Sequence, residues 1–361
     1  MKLRATWAPG IGPALLAALL FGASTPLAKL LLADISPVML AGLLYAGSGL
    51  GLGAWLLIRR LRTRQTNAES SLRRHDIPWL SGAVLFGGVF GPVLLMLGLA
   101  GTTASAASLL LNLESVLTAL VAWVVFRENV DFRIFLGMVA IVTGGVLLSW
   151  AQAPPAGLPW AALAIAAACA CWAIDNNLTR AVSGGDPVQI AAIKGGVAGV
   201  INIGAALVLG QRLPNALHLL SAGAIGLTGY GISLAAFVLA LRHLGAARTG
   251  AYFSTAPFVG AALSLLLLRE IPSISFWVAG GLMALGVWLH VSERHEHEHS
   301  HGLLEHEHLH SHDAHHQHVH DFDWDGKEPH AHQHEHKPLI HSHAHYPDLH
   351  HRHAHGNHEA D

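Results

Sequence analysis

The chain has 361 residues, of which 52% are hydrophobic and only 12% charged, with a formal net charge of −2 when histidine is neutral. Soluble domains carry about a quarter charged residues. This balance excludes a basic nucleic-acid-binding protein. It also excludes a soluble helical bundle, whose helices would need polar faces that are missing before about residue 292.

Taken in chain order, ten apolar stretches of roughly 19–24 residues cover 11–33, 36–58, 78–99, 102–126, 132–150, 158–180, 187–209, 217–241, 246–268 and 273–291. Each is long enough to cross a hydrocarbon core of ~30 Å as a helix. The expected fold class is an all-α integral membrane protein with ten transmembrane helices. The first stretch follows Lys2 and Arg4, as a signal peptide would. Its apolar run exceeds the usual 7–15 residues of such a signal, which predicts a retained helix. Lys and Arg favour cytoplasmic loops. With the N-terminus inside, the inner segments hold Lys2, Arg4, Arg59, Arg60, Arg62, Arg64, Arg73, Arg74, Arg127, Arg133, Arg180, Arg242, Arg248 and Arg294. The outer segments hold only Arg212 and Arg269. Ten spans return the C-terminus to the cytoplasm, so a multi-pass protein of a bacterial-type inner membrane with both termini cytoplasmic is expected.

Ionisable groups inside hydrocarbon are costly and tend to face a cavity or each other. Glu114 lies near the middle of the fourth span, flanked by Asn112 and Ser115. Burial disfavours its charged form, which makes it a candidate proton- or cation-coupling group. The alternative is a protonated Glu bonded to a neighbouring helix. The sixth span ends in "CWAIDNNLTRA", placing Asp175, Asn176, Asn177 and Arg180 together after a strongly apolar run. Asn176 and Arg180 are four apart and share a face. The patch either lines a substrate cavity or caps the helix at the interface. Lys29 toward the outer end of the first span snorkels to the interface or touches substrate, and Lys194 and Arg248 read similarly. Trp172, Tyr230, Tyr252 and Phe253 either pack or line a pocket. Cys169 and Cys171 stand at i and i+2 and do not share a helix face, so they read as packing residues. Glycine clusters such as Gly82, Gly87, Gly88 and Gly91 suit close helix packing in lipid.

Two segments look alike: "ASLLLNLESVLTALVAWVVFRE", ending at Glu128, and "GAYFSTAPFVGAALSLLLLRE", ending at Glu270. A second pair, "LFGASTPLAK" and "CWAIDNNLTR", aligns Phe21 with Trp172, Leu27 with Leu178 and Lys29 with Arg180. Both pairs divide the chain into five spans plus five, 1–151 and 152–292. Five is odd, so the halves are expected to lie inverted in the bilayer, an arrangement that places a site near the midplane and lets access alternate.

This layout resembles the EamA family of the drug/metabolite transporter superfamily. The resemblance rests on ten spans in two halves, on Glu128 and Glu270 closing the fourth span of each half, and on Phe21-Gly22 and Trp172-Ala173 in the first spans. It covers residues ~11–291. The family often has Gly before the closing Glu, where Arg127 and Arg269 stand here, and Pro at the position that Pro257 matches and Ser115 does not. The resemblance implies secondary transport of small metabolites such as amino acids, amines or sugars, frequently as export. Arg127 and Arg269 beside the closing glutamates suggest helix-end ion pairs.

From residue 293 the composition changes. The stretch from His295 on holds 24 of the 28 histidines and 13 acids against 3 Lys/Arg, and is expected to be disordered. His295, His297, His299 and His301 begin a His-x-His pattern. His306, His308, His310 and His312 continue it, then His316, His318 and His320. His330, His332, His334 and His336, and finally His341, His343 and His345, complete it. In an extended chain i and i+2 point the same way, and paired imidazoles suit Zn²⁺, Ni²⁺, Co²⁺ or Cu²⁺. His295-Glu296-x-x-His299 and His306-Glu307-x-x-His310 match a zinc-protease pattern, but that pattern needs a helix and arises by chance in a His run. No enzyme activity and no required cofactor are expected.

Three functions compete. The first is a gradient-driven metabolite carrier, in the exporting direction, whose tail binds divalent metal. The second is a carrier of the metal itself. Against it, His75, His218 and His243 lie at loops or span ends, so the spans offer no histidine ligand. The third is a metal sensor or store without transport. The expected partners are the bilayer, a small-molecule substrate and divalent metal ions, with no nucleic acid; the sequence is compatible with a homodimer.

Overall fold

The computed structural model describes residues 10–62, 74–126, 132–151, 158–182, 185–291, 296–301, 304–310, 330–336 and 339–344. Residues 1–293 and 294–361 form two separate units. In the first, the helices are α1 (Ile11–Leu31), α2 (Pro37–Arg62), α3 (Arg74–Ala100), α4 (Ala104–Leu110), α5 (Leu113–Phe126), α6 (Phe132–Ala151), α7 (Trp160–Val182) and α8 (Pro187–Val208). After them come α9 (Ala216–Ile225), α10 (Ser233–Phe253), α11 (Ala256–Leu267) and α12 (Ile274–Val291). Among the described residues eight helical stretches are long and apolar enough to cross a membrane, and Ala256–Leu267 and Ile274–His290 are shorter apolar helices.

The surface is that of a chain solvated by lipid. Trp55, Trp79, Trp123, Trp150, Trp160, Trp277 and Trp288 are all exposed and stand near helix ends. Amphipathic indoles collect at the two headgroup levels. Association inside lipid depends on close backbone approach. At Gly49 an added Cβ would lie 2.2 Å from the backbone nitrogen of Gly196, which ties α2 against α8. Both ends of that pair are also bonded. Asp186 caps α8 by accepting from the amides of Val188 (2.9 Å) and Gln189 (3.3 Å) and binds Arg59 at 2.5 Å. At the opposite end Ser36 Oγ bonds Gln211 Oε1 at 2.5 Å.

Several departures from regular helix were not expected from apolar patterning. Val84–Phe90 inside α3 and Gly226–Ile232 between α9 and α10 are π-helical, seven residues each. The expected fourth span is broken at residues 111 and 112, between α4 and α5, and the expected ninth at 254 and 255, between α10 and α11. The gap expected near 242–245 is helical instead. Phe237 and Phe253 nevertheless have ring centroids 4.9 Å apart. Sixteen residues of straight helix would separate them by about 24 Å, so the chain doubles back within α10.

Helices from the two parts of the sequence interleave. α1 packs on α10 and α11, and α7 packs on α3 and α5. α2 lies on α8, and α6 on α12.

In the second unit, disorder was expected, and the structure places four strands: β1 (Glu296–His301), β2 (Leu304–His310), β3 (His330–His336) and β4 (Leu339–Ala344). β1 pairs antiparallel with β4 and β2 with β3. The period-two His-x-His alternation matches the strand repeat. The register sets His297 and His299 opposite His343 and His341, and His306, His308 and His310 opposite His334, His332 and His330. These segments are strands, not the helix that a zinc-protease reading requires. His295, His312, His316, His318, His320 and His345 lie outside the described residues.

Candidate substrate and coupling site

The π stretch in α3 organises the site. A π turn shifts backbone carbonyls away from the regular i→i+4 ladder, and such turns are frequent at functional sites. Here the Gly87 carbonyl accepts from Tyr45 Oη at 2.7 Å and from Trp172 Nε1 at 3.0 Å. The next carbonyl, Gly88, accepts from Asn202 Nδ2 at 3.0 Å. Gly87 has no room for a side chain, because an added Cβ would stand 1.9 Å from Asp175 Oδ2.

Asp175 is buried and fully engaged. Lys194 Nζ donates to both of its oxygens, at 2.6 and 2.8 Å. Lys194 also donates to Thr179 Oγ1 at 3.1 Å, and Thr179 Oγ1 donates to Asp175 Oδ1 at 2.8 Å. Lys194 is 1% exposed. Lys194 therefore does not snorkel. A buried ion needs a counter-charge and further bonds to offset its desolvation, and α7 supplies both on one face, since Asp175 and Thr179 are four apart.

Glu114 sits at the start of α5, directly after the break at 111 and 112. Its Oε1 accepts from Asn176 Nδ2 at 2.8 Å. Among the residues whose side chains are described, no cation reaches it. The break is stabilised locally. Ser115 Oγ and Asn112 Nδ2 donate to the carbonyls of Asn112 (2.7 Å) and Leu109 (2.9 Å). Buried Cys169 lies 3.9 Å from the carbonyls of Leu110 and Leu111. Asn112 Oδ1 is buried without a hydrogen-bond partner among the described residues. Cys169 and Cys171 are both free thiols.

Beside this polar group lies an aromatic cluster. Phe21 meets Trp172, Tyr230 and Phe253 at 5.9, 5.8 and 5.4 Å between ring centroids, and Tyr45 meets Tyr230 at 5.4 Å. Trp172 and Asn176 are one helical turn apart on α7 and join the aromatic and polar parts. A groove of about 610 Å³ between α3 and α8, lined in part by Arg74, Asp76, Ile193 and Val197, includes none of these residues.

The sequence candidates therefore separate. Glu114, Asn176 and Asp175 come together, with Asn112 just behind Glu114. Asn177 does not join them, because its amide bonds its own helix at Ala173 O, 2.8 Å. Lys29 neither snorkels freely nor stands by Glu114. It donates to the carbonyls of Leu99 and Thr102, both at 2.7 Å, and closes the C-terminal end of α3. Glu270 accepts from the amides of Ala104 (2.8 Å) and Ser105 (3.0 Å) and so caps α4. The backbone of Arg180 continues α7; its side chain, and Arg127 and Glu128, lie outside the described residues.

The sequence analysis missed Tyr45 and Asn202, read Lys194 as a snorkelling or substrate-touching cation, and read Gly87 as a packing glycine. The signal available was Lys194 itself, a buried charge in a span, which calls for an opposite charge elsewhere. His290 in α12 was also overlooked; its Nε2 lies 3.1 Å from the carbonyl of Ile134. Among the described residues no group of three or more His, Cys, Asp or Glu side chains gathers as a metal site.

A membrane-embedded, all-helical unit with buried polar groups at helix breaks is transporter architecture. The model of the EamA-like transporter family matches twice, over residues 8–150 and 159–292, and the chain belongs to this family. It is 31% identical over 288 residues to an uncharacterized transporter of Methanothermobacter thermautotrophicus (strain Delta H), covering 76% of this chain and 83% of the relative. It also resembles a protein of known crystal structure with a TM-score of 0.59 at 20% identity, covering 77% of this chain and 95% of the other. That likeness concerns the fold.

Proposed function

We propose that the chain is a gradient-coupled secondary carrier of a small metabolite carrying positive charge, an amine or an amino acid, working by alternating access in the exporting direction. The observation behind this reading is the Glu114 carboxylate, bonded to the neutral amide of Asn176 at 2.8 Å beside the aromatic cluster of Phe21, Trp172 and Tyr230. A carboxylate with aromatic faces nearby suits a cation, since the ring faces attract positive charge. In this reading residues 1–151 and 152–292 are inverted five-helix repeats with ten crossings. Both termini face the cytoplasm in a bacterial-type inner membrane. The segment 293–361 binds divalent transition metal through its histidines.

The test is uptake into vesicles of purified protein against a panel of amino acids, amines and divalent metals under imposed proton gradients. The reading requires a gradient-dependent flux of an amine or amino acid that Glu114→Gln abolishes. Wild-type flux in that variant would remove it.

Carriage of the metal itself has the tail in its favour. The site favours it less, because Asp175 is already held by Lys194 and His290 bonds a backbone carbonyl.

A further inference from the structure

The site holds two carboxylates that are answered differently. Asp175 receives two bonds from Lys194 and one from Thr179. Glu114 receives a neutral amide from the residue next to Asp175. Lys194 is the one buried lysine or arginine among the described residues, so it brings the charge of this group from minus two to minus one.

We propose that Lys194 is the residue that sets the valence of the cargo: by occupying Asp175 it leaves Glu114 alone to balance a single positive charge, and it keeps divalent cations out. This rests on the reading of Glu114 as the cation-facing group. Among the described residues Lys194 has no other acceptor than Asp175 and Thr179. It cannot move aside without exposing two buried ions to hydrocarbon, a cost of several kcal/mol per ion. A divalent ion that met Glu114 with Lys194 in place would leave one positive charge uncompensated. Without Lys194, the Asp175 and Glu114 carboxylates and the amide oxygen of Asn176 are the kind of oxygen donor set that a hard divalent cation takes.

Lys194 is therefore a specificity residue acting through Asp175, and the test reads binding. Calcium titrations are run on the full chain in detergent, comparing wild type, Lys194→Met, Asp175→Asn/Lys194→Met and Lys194→Arg. Calcium held by the acidic tail is common to all four and cancels. The expected result is that Lys194→Met gains one calcium site, that the double variant binds more than about ten-fold more weakly, and that Lys194→Arg behaves as wild type. Calcium should also raise the thermal transition of Lys194→Met and of no other protein in the set. A folded Lys194→Met with no added site, or a site that survives Asp175→Asn, overturns the proposal. If Lys194→Met is recovered only in calcium, that rescue is the expected result read by yield. If it is not recovered at all, Lys194→Gln, which keeps a hydrogen bond to Asp175, goes through the same titration with the same two outcomes. The readout involves no transport, so failure of the panel to show amine flux would remove the cargo assignment and leave this test standing.

Discussion

Phe21 of α1 and Trp172 of α7 meet edge to face, with centroids 5.9 Å apart and planes at 83°. They hold equivalent places in the two similar segments of the sequence, 151 positions apart. The same step carries Ser24 to Asp175, and a step of 142 carries Gly87 to Gly229. The structure honours both: an added Cβ on Gly87 would meet Asp175, and one on Gly229 would meet Ser24. The π stretches around these glycines begin at Val84 and Gly226, also 142 apart. Where Gly22 packs on the Ala256 carbonyl, the equivalent places are Ala173 and Glu114. Under the proposed repeat the polar site is one of two matched helix junctions, and at the other Gly22 and Ser24 stand in place of Ala173 and Asp175. This relationship supports the proposed repeat and locates the charge on one side of it.

Substitution at either π glycine should be costly. Gly87→Ala forces Asp175 away from Lys194 and Thr179, which hold it by three bonds, and should cost about 1–3 kcal/mol. Gly229→Ala meets Ser24 Cβ at 2.5 Å, an atom that no rotamer change moves, so α1 and the π stretch must part and the cost should be at least as large. Gly53→Ala, with nothing within 4 Å, serves as the control. Thermal unfolding in detergent checks the order, which an equal effect at all three would contradict.

The Asp175–Lys194 pair should be strongly non-additive. Removing either partner leaves a buried unpaired charge, a loss of about 3–5 kcal/mol, whereas replacing both by neutral groups of similar size is often close to neutral. Asp175→Asn and Lys194→Met should each lower the thermal transition well below that of the double variant. A double variant as unstable as the sum of the singles would show that the pair does not act as a unit.

Arg269 is an outlier with φ 53°, just past the end of α11. A non-glycine residue in the left-handed region costs about 1–2 kcal/mol, and glycine is the usual residue there. The sequence motif already hinted at this, since Arg269 stands where the resembled family often has glycine. Arg269→Gly should stabilise the protein by roughly 0.5–1 kcal/mol after allowing for glycine's extra chain entropy. A lower thermal transition in that variant would mean that the Arg269 side chain supplies contacts worth more than the backbone strain.

How much of this was legible in advance depends on how far each partner lies along the chain. Apolar runs mark the crossings because lipid imposes length and composition on each stretch separately. Glu114, Asp175 and Asn176 stood out for the same reason, as polar residues where hydrocarbon forbids them. Pairing was not legible. Lys194 is nineteen positions from Asp175 and looked like an interfacial cation, and Lys29 read as snorkelling or touching substrate when its partners are carbonyls some seventy positions away. The π turns and the reversal between Phe237 and Phe253 depend on which helices pack together, and hydropathy alone carries none of that.

The tail offers the last separable prediction. Its strand register sets His306, His308 and His310 opposite His334, His332 and His330, and alternate residues of a strand share a face. Imidazoles so grouped suit nickel and zinc better than the carboxylate oxygens of Glu114 and Asp175 do. Removing 294–361, a unit separate from the helices, should abolish tight nickel binding by the purified protein. Flux of the organic substrate in metal-depleted medium should stay within about two-fold of the full chain, because Glu114 and Asn176, which bonds it, both belong to the helical unit. Nickel binding measured by competition with a chromophoric chelator, alongside vesicle uptake, reads both quantities. If flux without metal collapses on truncation, the tail takes part in transport itself, and the division of labour argued here fails.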